Sequence, residues 1–192
     1  RGRTSYRGDG RYRNDWGAFA TYNMGLGVSD RLALTGEVRE RRYPTGPLRS
    51  RTRDIAEVTG IWTHSLANGK TSLSLGGSFA EEWATQERVD GDASIWSVRS
   101  SLDHAFSDSL DAFFFLEYWE EGYDEERPDF STDPNLLVQR SDDLVYAGGG
   151  LIWSFAPGWT LRPAFEYDWE NSNVPALAYS KTEVWVTVRK SF

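Results

Sequence analysis

Cysteine is absent from this sequence of 192 residues, histidine occurs only twice, and Met24 is the single methionine. Without cysteine the chain can form no disulfide bond, no thiolate metal site and no cysteine nucleophile. Two histidines are too few for a multi-histidine metal centre. No stretch approaches the ~20 consecutive apolar residues of a membrane-spanning helix. Because the sequence starts at Arg1, we expect a processed product or a fragment.

Aromatic residues are abundant in an otherwise polar chain. The mean hydropathy is −0.57 and the formal net charge is −8, yet 9 Trp, 9 Tyr and 10 Phe make up 15% of the residues. The first quarter is basic, but its arginines alternate with apolar residues instead of forming a compact patch. Nucleic acid is therefore not a predicted partner. The length fits one domain, and we interpret residues 1–192 as a single domain.

Polar and apolar residues alternate with a period of two along most of the chain. In 159–170, for example, Leu161 and Phe165 take one parity while Arg162 and Glu166 take the other. Such alternation separates the two sets on opposite faces of a strand, whereas a helix would mix them. The pattern predicts strands near 14–28, 31–42, 52–66, 70–84, 93–106, 109–122, 142–156, 158–170 and 179–192.

Short turns alternate with long polar loops between these predicted strands. The short turns fall near 29–30, 67–69, 107–108 and 156–158, and the loops near 43–51, 85–92, 123–141 and 171–178. This order is typical of an antiparallel up-and-down barrel. Nine strands are clear, and the first and the last of them run in the same direction. Because an antiparallel barrel of this kind closes with an even number of strands, one more strand must precede residue 14, with 1–7 as its remnant. The sequence thus predicts a barrel of about ten strands with a clipped first strand, or the C-terminal part of a larger barrel.

Large aromatic residues cluster at both ends of the strands on the apolar parity, with aliphatic residues between them. Two aromatic girdles flanking an aliphatic band are typical of a transmembrane β-barrel in the bacterial outer membrane, in contact with membrane lipid. A soluble barrel that binds an apolar ligand in an aromatic core is the alternative. The predicted girdle residues are Trp16, Trp83, Tyr118, Tyr167 and Trp169 at the long-loop ends, and Trp62, Trp153 and Trp159 at the short-turn ends.

The polar parity would then line the lumen. Its charged side chains must pair or be hydrated, because burying a lone charge is costly. Both signs occur, so we predict a lumenal network of salt bridges. Its members are Glu37, Arg39, Glu57, Arg99, Asp103, Glu117, Arg162, Glu166, Asp168, Glu183 and Arg189.

Six arginines lie at and around the first long loop. Guanidinium groups suit the phosphates of lipopolysaccharide, and they could equally pair with the acidic loop 123–141 across the rim. Both interpretations stay open. The six are Arg39, Arg41, Arg42, Arg49, Arg51 and Arg53.

No catalytic residue, cofactor or metal site is predicted. His64 and His104 lie near short turns on the apolar parity, where an interfacial position explains them. Loop 123–141 lacks the ligand spacing of a dedicated calcium loop. The leading hypothesis is a non-enzymatic barrel that acts as an export or translocation channel, or as the membrane anchor of a larger envelope assembly with other subunits. A membrane enzyme is the rival class.

Two segments near the C-terminus resemble known proteins. The last strand, ending in Phe192, resembles the recognition strand of bacterial outer-membrane barrels, which implies insertion by the barrel assembly machinery with Phe192 as the assembly signal. The segment from Glu166 to Pro175, followed by 179–184, resembles the last hairpin of the surface lipoprotein assembly modifier family. That resemblance implies a barrel that helps lipoproteins reach the cell surface.

Overall fold

The computed structural model describes residues 2–7, 10–43, 51–66, 69–86, 90–129 and 133–191. A short 3₁₀ turn spans Pro175–Leu177, and no helix in these ranges is long and apolar enough to cross a bilayer. The rest of the regular structure is extended, as expected from the period of two. The strands are β1 (Gly2–Arg7), β2 (Gly10–Gly25), β3 (Asp30–Arg42), β4 (Arg53–Ser65), β5 (Thr71–Ala84), β6 (Ala93–Ser107), β7 (Leu110–Asp129), β8 (Asp133–Ala156), β9 (Trp159–Ser172) and β10 (Tyr179–Lys190).

All ten strands form one sheet, in which each strand pairs antiparallel with its neighbour in the sequence. The predicted all-β, up-and-down antiparallel fold is therefore confirmed, including a strand ahead of residue 14. We call the side with the connections β2–β3, β4–β5, β6–β7 and β8–β9 the turn end of the sheet. The opposite side, with the remaining connections, is the loop end.

The predicted loop 123–141 is wrong for most of its length. Strand β7 has 20 residues and β8 has 24, and their pairing resumes after an irregularity, with Glu126 opposite Gln139. The two strands therefore form a long hairpin at the loop end. The acidic residues of this segment are typical of a solvated loop, but in the structure they belong to strands β7 and β8.

The two outermost strands leave open edges in the part of the chain that the structure describes. Strand β1 pairs with the first part of β2, from Gly10 to Trp16, and 18–25 of β2 pairs on one side, with β3. Strand β10 pairs with β9 alone. Backbone donors and acceptors along both edges are thus available for further strands.

The tight turn between β8 and β9 depends on Gly158. Its φ is 74°, in the left-handed region that L residues with a side chain avoid. Its carbonyl accepts a hydrogen bond of 2.8 Å from the amide of Ser191, after β10. A Cβ at Gly158 would lie 2.5 Å from the carbonyl oxygen of Ser191. This glycine therefore permits both the turn and the close approach of the C-terminal segment.

Candidate functional site on the polar face

The sheet has one apolar and one polar face, and the apolar face is the more exposed. Directly paired residues share a face, so the register assigns each strand position. On the apolar face Val58 is 64% exposed and Val184 is 75% exposed. On the polar face Ile55 and Glu82 are each 4% exposed, and Asp142 is fully buried. Charged groups are therefore enclosed while aliphatic groups are open.

This arrangement is the reverse of that in a water-soluble barrel, in which the enclosed face is apolar. The exposed apolar face also covers many neighbouring strands, which is far more than the scattered single residues of an ordinary surface. Such a face is stable only against an apolar medium or another apolar surface. The polar face is consequently the candidate functional surface.

All eight predicted girdle residues lie on the apolar face. Several place a polar ring atom against a carboxylate: Trp62 Nε1 donates to Asp30 at 2.9 Å, and the Tyr118 hydroxyl donates to Asp143 at 2.6 Å. Their interfacial role remains a prediction. Near the turn end lie Trp62, Trp153 and Trp159, and towards the loop end lie Trp16, Trp83, Tyr118, Tyr167 and Trp169.

Both histidines lie on the same apolar face, near the turn end. His64 Nδ1 is 3.0 Å from Asp30, and the His64 ring stacks on Trp62. His104 Nδ1 is 2.8 Å from the Thr71 hydroxyl. Neither imidazole faces the polar side of the sheet, so neither can act on a molecule there. No group of three or more metal-ligating side chains occurs in the described ranges.

The densest set of ion pairs lies at the loop end of the polar face, centred on Arg140. We call Asp90, Arg127, Arg140, Asp142 and Glu170 the rim cluster. Arg140 contacts Asp142, lies 3.2 Å from Asp90 and 3.7 Å from Glu170, and Arg127 lies 3.1 Å from Asp90. The Arg140 guanidinium also stacks on the Tyr123 ring, 4.5 Å from its centroid. The cluster joins the loop after β5 to the β7–β8 hairpin and to β9.

Further buried charges continue this network along the loop end. Arg53 lies 3.0 Å from the nearly buried Glu82. Burial raises the pKa of the neighbouring Glu121, and the Glu82 carboxylate raises it further. Asp15 accepts a hydrogen bond from Arg41 at 3.0 Å and forms an ion pair with Arg13, also at 3.0 Å. The outer rim of the polar face is therefore cross-linked by charge between strands.

The predicted lumenal charges all lie on the polar face, but few of them pair directly. Arg39 is 3.6 Å from Glu37, whereas Glu183 pairs with Lys181 at 2.7 Å. No carboxylate in the described ranges lies within ion-pair distance of Arg99, Arg162 or Arg189. Glu57, Arg99, Asp103, Glu117, Arg162, Glu166, Asp168 and Arg189 also line this face along β4, β6, β7, β9 and β10.

The arginines around the first long loop divide between the faces. Arg39, Arg41 and Arg53 lie on the polar face, whereas Arg42 lies on the apolar face, where it contacts Glu40 and is 3.4 Å from Asp54. The ion-pair partners of these four arginines lie on the same strand or on neighbouring strands, and none of them lies in the predicted acidic loop. Arg51 lines the cavity at the loop end. Arg49 and Phe192 lie outside the described residues.

Several cavities open along the polar face, and two of them lie beside charged residues described above. One of about 700 Å³ lies at the loop end beside Asp90, Arg127 and Arg140. The other, of about 420 Å³, lies midway along the sheet and is lined by Arg99 and Tyr146 among others. The polar face thus offers a charged mouth and a second recess deeper along the strands.

The chain is similar in structure to the outer membrane channel DcaP of Acinetobacter baumannii, with a TM-score of 0.59 and 19% sequence identity. The likeness covers 93% of this chain and 51% of that channel, so this chain spans about half the channel's length. This likeness shows that the two proteins share a fold, the antiparallel up-and-down arrangement of strands described above, and fold alone does not define function. No protein-family model and no curated protein matches the chain. The likeness of the last hairpin to the surface lipoprotein assembly modifier family therefore stays an interpretation.

Proposed function

We propose that this chain forms part of the wall of a channel in the bacterial outer membrane, with its apolar face against lipid and its polar face lining the lumen. The observation that carries the proposal is the partition of exposure: Val58, Val184 and Val186 are 62–75% exposed, while the charged rim cluster is enclosed. The structural likeness to an outer-membrane channel supports the same interpretation.

The open edges favour a larger barrel over a closed barrel of ten strands. Strand β1 has 6 residues and pairs with only the first part of β2, so it leaves most of β2 without a second neighbour. A membrane barrel must satisfy every backbone group by closing the sheet. We therefore propose that further strands pair with β10 and with 18–25 of β2. A larger barrel also leaves room for a lumen, whereas a small one is filled by side chains.

Single-cysteine labelling tests the orientation directly, because the sequence has no cysteine of its own. In the intact protein inserted in vesicles, a lipid-phase quencher should reach labels at Val184, Val186 and Val188. Cysteines at positions 183, 185 and 187 should instead react with water-soluble reagents that enter through the lumen. Quenching at the odd positions and not at the even ones would refute the proposed orientation.

Ion conductance across a planar bilayer tests the channel itself. Arg99 and Glu117 face each other across β6 and β7 on the polar face, so Arg99→Gln should shift the reversal potential towards cations and Glu117→Gln towards anions. Arg42→Gln, on the apolar face, is the control and should leave selectivity unchanged. A folded, inserted protein without conductance would exclude a channel.

Export of protein cargo, or anchoring of a larger envelope assembly, is the second candidate function. The resemblance of 166–184 to the last hairpin of the lipoprotein assembly family is the observation that favours it. Insertion by the barrel assembly machinery, which the resemblance at Phe192 implies, would serve either function. A channel that conducts small ions but transports no attached protein in cells would separate the two.

Lipopolysaccharide is the proposed lipid partner at the loop end. Of the described arginines near the first long loop, Arg42 is the one on the apolar face, about one-third exposed beside Glu40 and Asp54. A guanidinium in this position can contact a lipid phosphate. The Arg42→Gln protein should therefore retain less lipopolysaccharide during purification than the wild type, with Arg39→Gln on the polar face as its control.

A further inference from the structure

Three aromatic rings lie side by side on the polar face, among the charged residues. Phe115 and Trp119 are on β7, and Tyr146 on β8 lies opposite Glu117, between them. The Tyr146 ring is 4.9 Å from the Phe115 ring and 6.4 Å from the Trp119 ring, centroid to centroid. These three residues, which we call the aromatic cluster, form a patch of neighbouring rings between the charged residues of the polar face.

The absence of a side chain at Gly148 in β8 lets the Phe115 ring lie close to the backbone of the sheet. A Cβ at Gly148 would lie 2.5 Å from Phe115 Cζ, so the ring occupies the space that a side chain would fill. With one side of the Phe115 ring against the backbone, its other side faces the lumen. The Tyr146 ring packs against the Phe115 ring, which restrains the second ring. The cluster is therefore held in place without any bound molecule.

Two other rings on the same face are covered by cations. Arg162 lies 4.7 Å above the Phe113 ring, and Arg140 lies 4.5 Å above the Tyr123 ring. No arginine or lysine in the described ranges stacks on Phe115, Trp119 or Tyr146. Within the described ranges, the aromatic cluster is thus the part of this row without a stacked cation, and two of its rings, Phe115 and Tyr146, line a cavity.

The recess beside the cluster carries balanced charge. Its volume is about 420 Å³, and Phe115 and Tyr146 line it together with Ser74, Arg99, Ser101 and Glu117, whose positions lie on the polar face. It therefore offers one positive group, one negative group and two hydroxyls. An anion would meet Glu117 and a cation would meet Arg99, whereas a neutral molecule rich in hydroxyl groups can donate to the carboxylate and accept from the guanidinium.

We propose that the aromatic cluster is a stacking site for neutral, hydroxyl-bearing ring solutes, which are saccharides. The apolar C–H face of a sugar ring would pack on Phe115, Tyr146 and Trp119, and its hydroxyl groups would bond to Arg99, Glu117 and the two serines. The recess lies within the range of about 300–1,000 Å³ that small-molecule sites occupy. This inference rests on the proposed channel function and names a solute class for it.

Block of the ionic current by maltotriose tests the inference in the intact protein. Maltotriose should reduce the current, and sorbitol, a polyol without a ring, should not at the same mass concentration. Phe115→Leu and Trp119→Leu should each raise the half-blocking concentration of maltotriose about tenfold, because each removes one stacking surface. Phe115→Tyr keeps the ring, so its half-blocking concentration of maltotriose should equal that of the wild type. Phe114→Leu is the matched control, because Phe114 is on the same strand but on the opposite, apolar face, where it is 46% exposed.

The outcomes separate this inference from the channel proposal. A conducting channel that maltotriose does not block, or blocks equally in the wild type and both leucine variants, overturns the saccharide site and leaves the channel intact. Tighter block by citrate than by maltotriose, relieved by Arg99→Gln and not by Phe115→Leu, would also overturn it. A folded, inserted protein without conductance overturns the channel proposal, and the saccharide site with it.

Discussion

The charged residues at the loop end of the polar face are bonded differently from those midway along it. At the loop end, Arg140 contacts three carboxylates. The rim cluster joins strands β7, β8 and β9 to the loop after β5, whose Asp90 is 50 residues from Arg140 in the sequence. Midway along the sheet, Arg99 and Glu117 face each other across neighbouring strands beside an open recess. Charge at the rim therefore holds structural elements together, whereas charge midway along the face remains available to water and solutes.

Removing the centre of the rim cluster should have the largest effect. Arg140→Ala would leave the fully buried Asp142, as well as Asp90 and Glu170, without this partner. Breaking a buried pair by removing one member costs about 3–5 kcal/mol. We expect a loss of that order in the free energy of unfolding, measured by urea titration of the intact protein in vesicles with tryptophan fluorescence as the signal.

Arg162→Ala is the matched comparison, because it removes an arginine midway along the same face. Its described contact is the stack on Phe113, worth about 0.5–1 kcal/mol at an exposed site. If the two variants lose similar free energy, the distinction between the bonded rim and the open middle of the face is wrong.

The glycines of β8 provide a second, smaller test. A Cβ at Gly148 would lie 2.5 Å from Phe115 Cζ and 2.7 Å from the carbonyl oxygen of Phe165. Gly148→Ala should therefore destabilise the fold by about 1–3 kcal/mol through overpacking. Gly36→Ala, in β3 with nothing within 4 Å of the added carbon, should be neutral or slightly stabilising. The same urea titration measures both variants, and equal stability would show that Phe115 moves aside freely.

The strands could be predicted from the sequence because the period of two is a local property. Each strand carries its own alternation, so the two faces and the up-and-down order followed without any knowledge of distant contacts. The strand over Gly2–Arg7 was also expected, because the direction of the next strand, β2, requires a strand before residue 14.

The rim cluster could not be predicted, because its contacts depend on where distant segments meet. Asp90 lies in the loop after β5, while Arg127 and Arg140 lie on opposite strands of a hairpin that the sequence analysis treated as a loop. Charged residues such as Glu125 and Glu126 have the composition of a solvated loop, and only the pairing with β8 reveals a strand. The aromatic cluster was not predicted for a different reason. Trp119 and Tyr146 lie on the polar parity, where the alternation predicts charged residues and gives no sign of neighbouring rings.

The smallest expected effect concerns Glu121, at the inner edge of the rim. Burial raises the pKa of this carboxyl, and the Glu82 carboxylate adds to the shift. A carboxyl whose pKa is higher in the folded state is more easily ionised in the unfolded state. Its ionisation therefore disfavours folding as the pH rises from the ordinary glutamate range through the raised value. Below that window both states are protonated and the penalty is absent.

Glu121→Gln removes this ionisation, so the variant should be slightly more stable than the wild type at pH 8 and indistinguishable from it at pH 4. The measurement is the difference in urea midpoint between variant and wild type at each pH, which cancels the titration of all other groups. Glu126→Gln, an exposed position on the same strand, should show no difference at either pH. If Glu121→Gln instead loses stability at pH 8, the attraction of Arg53 and Arg140 for the ionised carboxylate exceeds the cost of its burial. In that case the bonded rim would extend one position further along the face than the ion pairs of the rim cluster indicate.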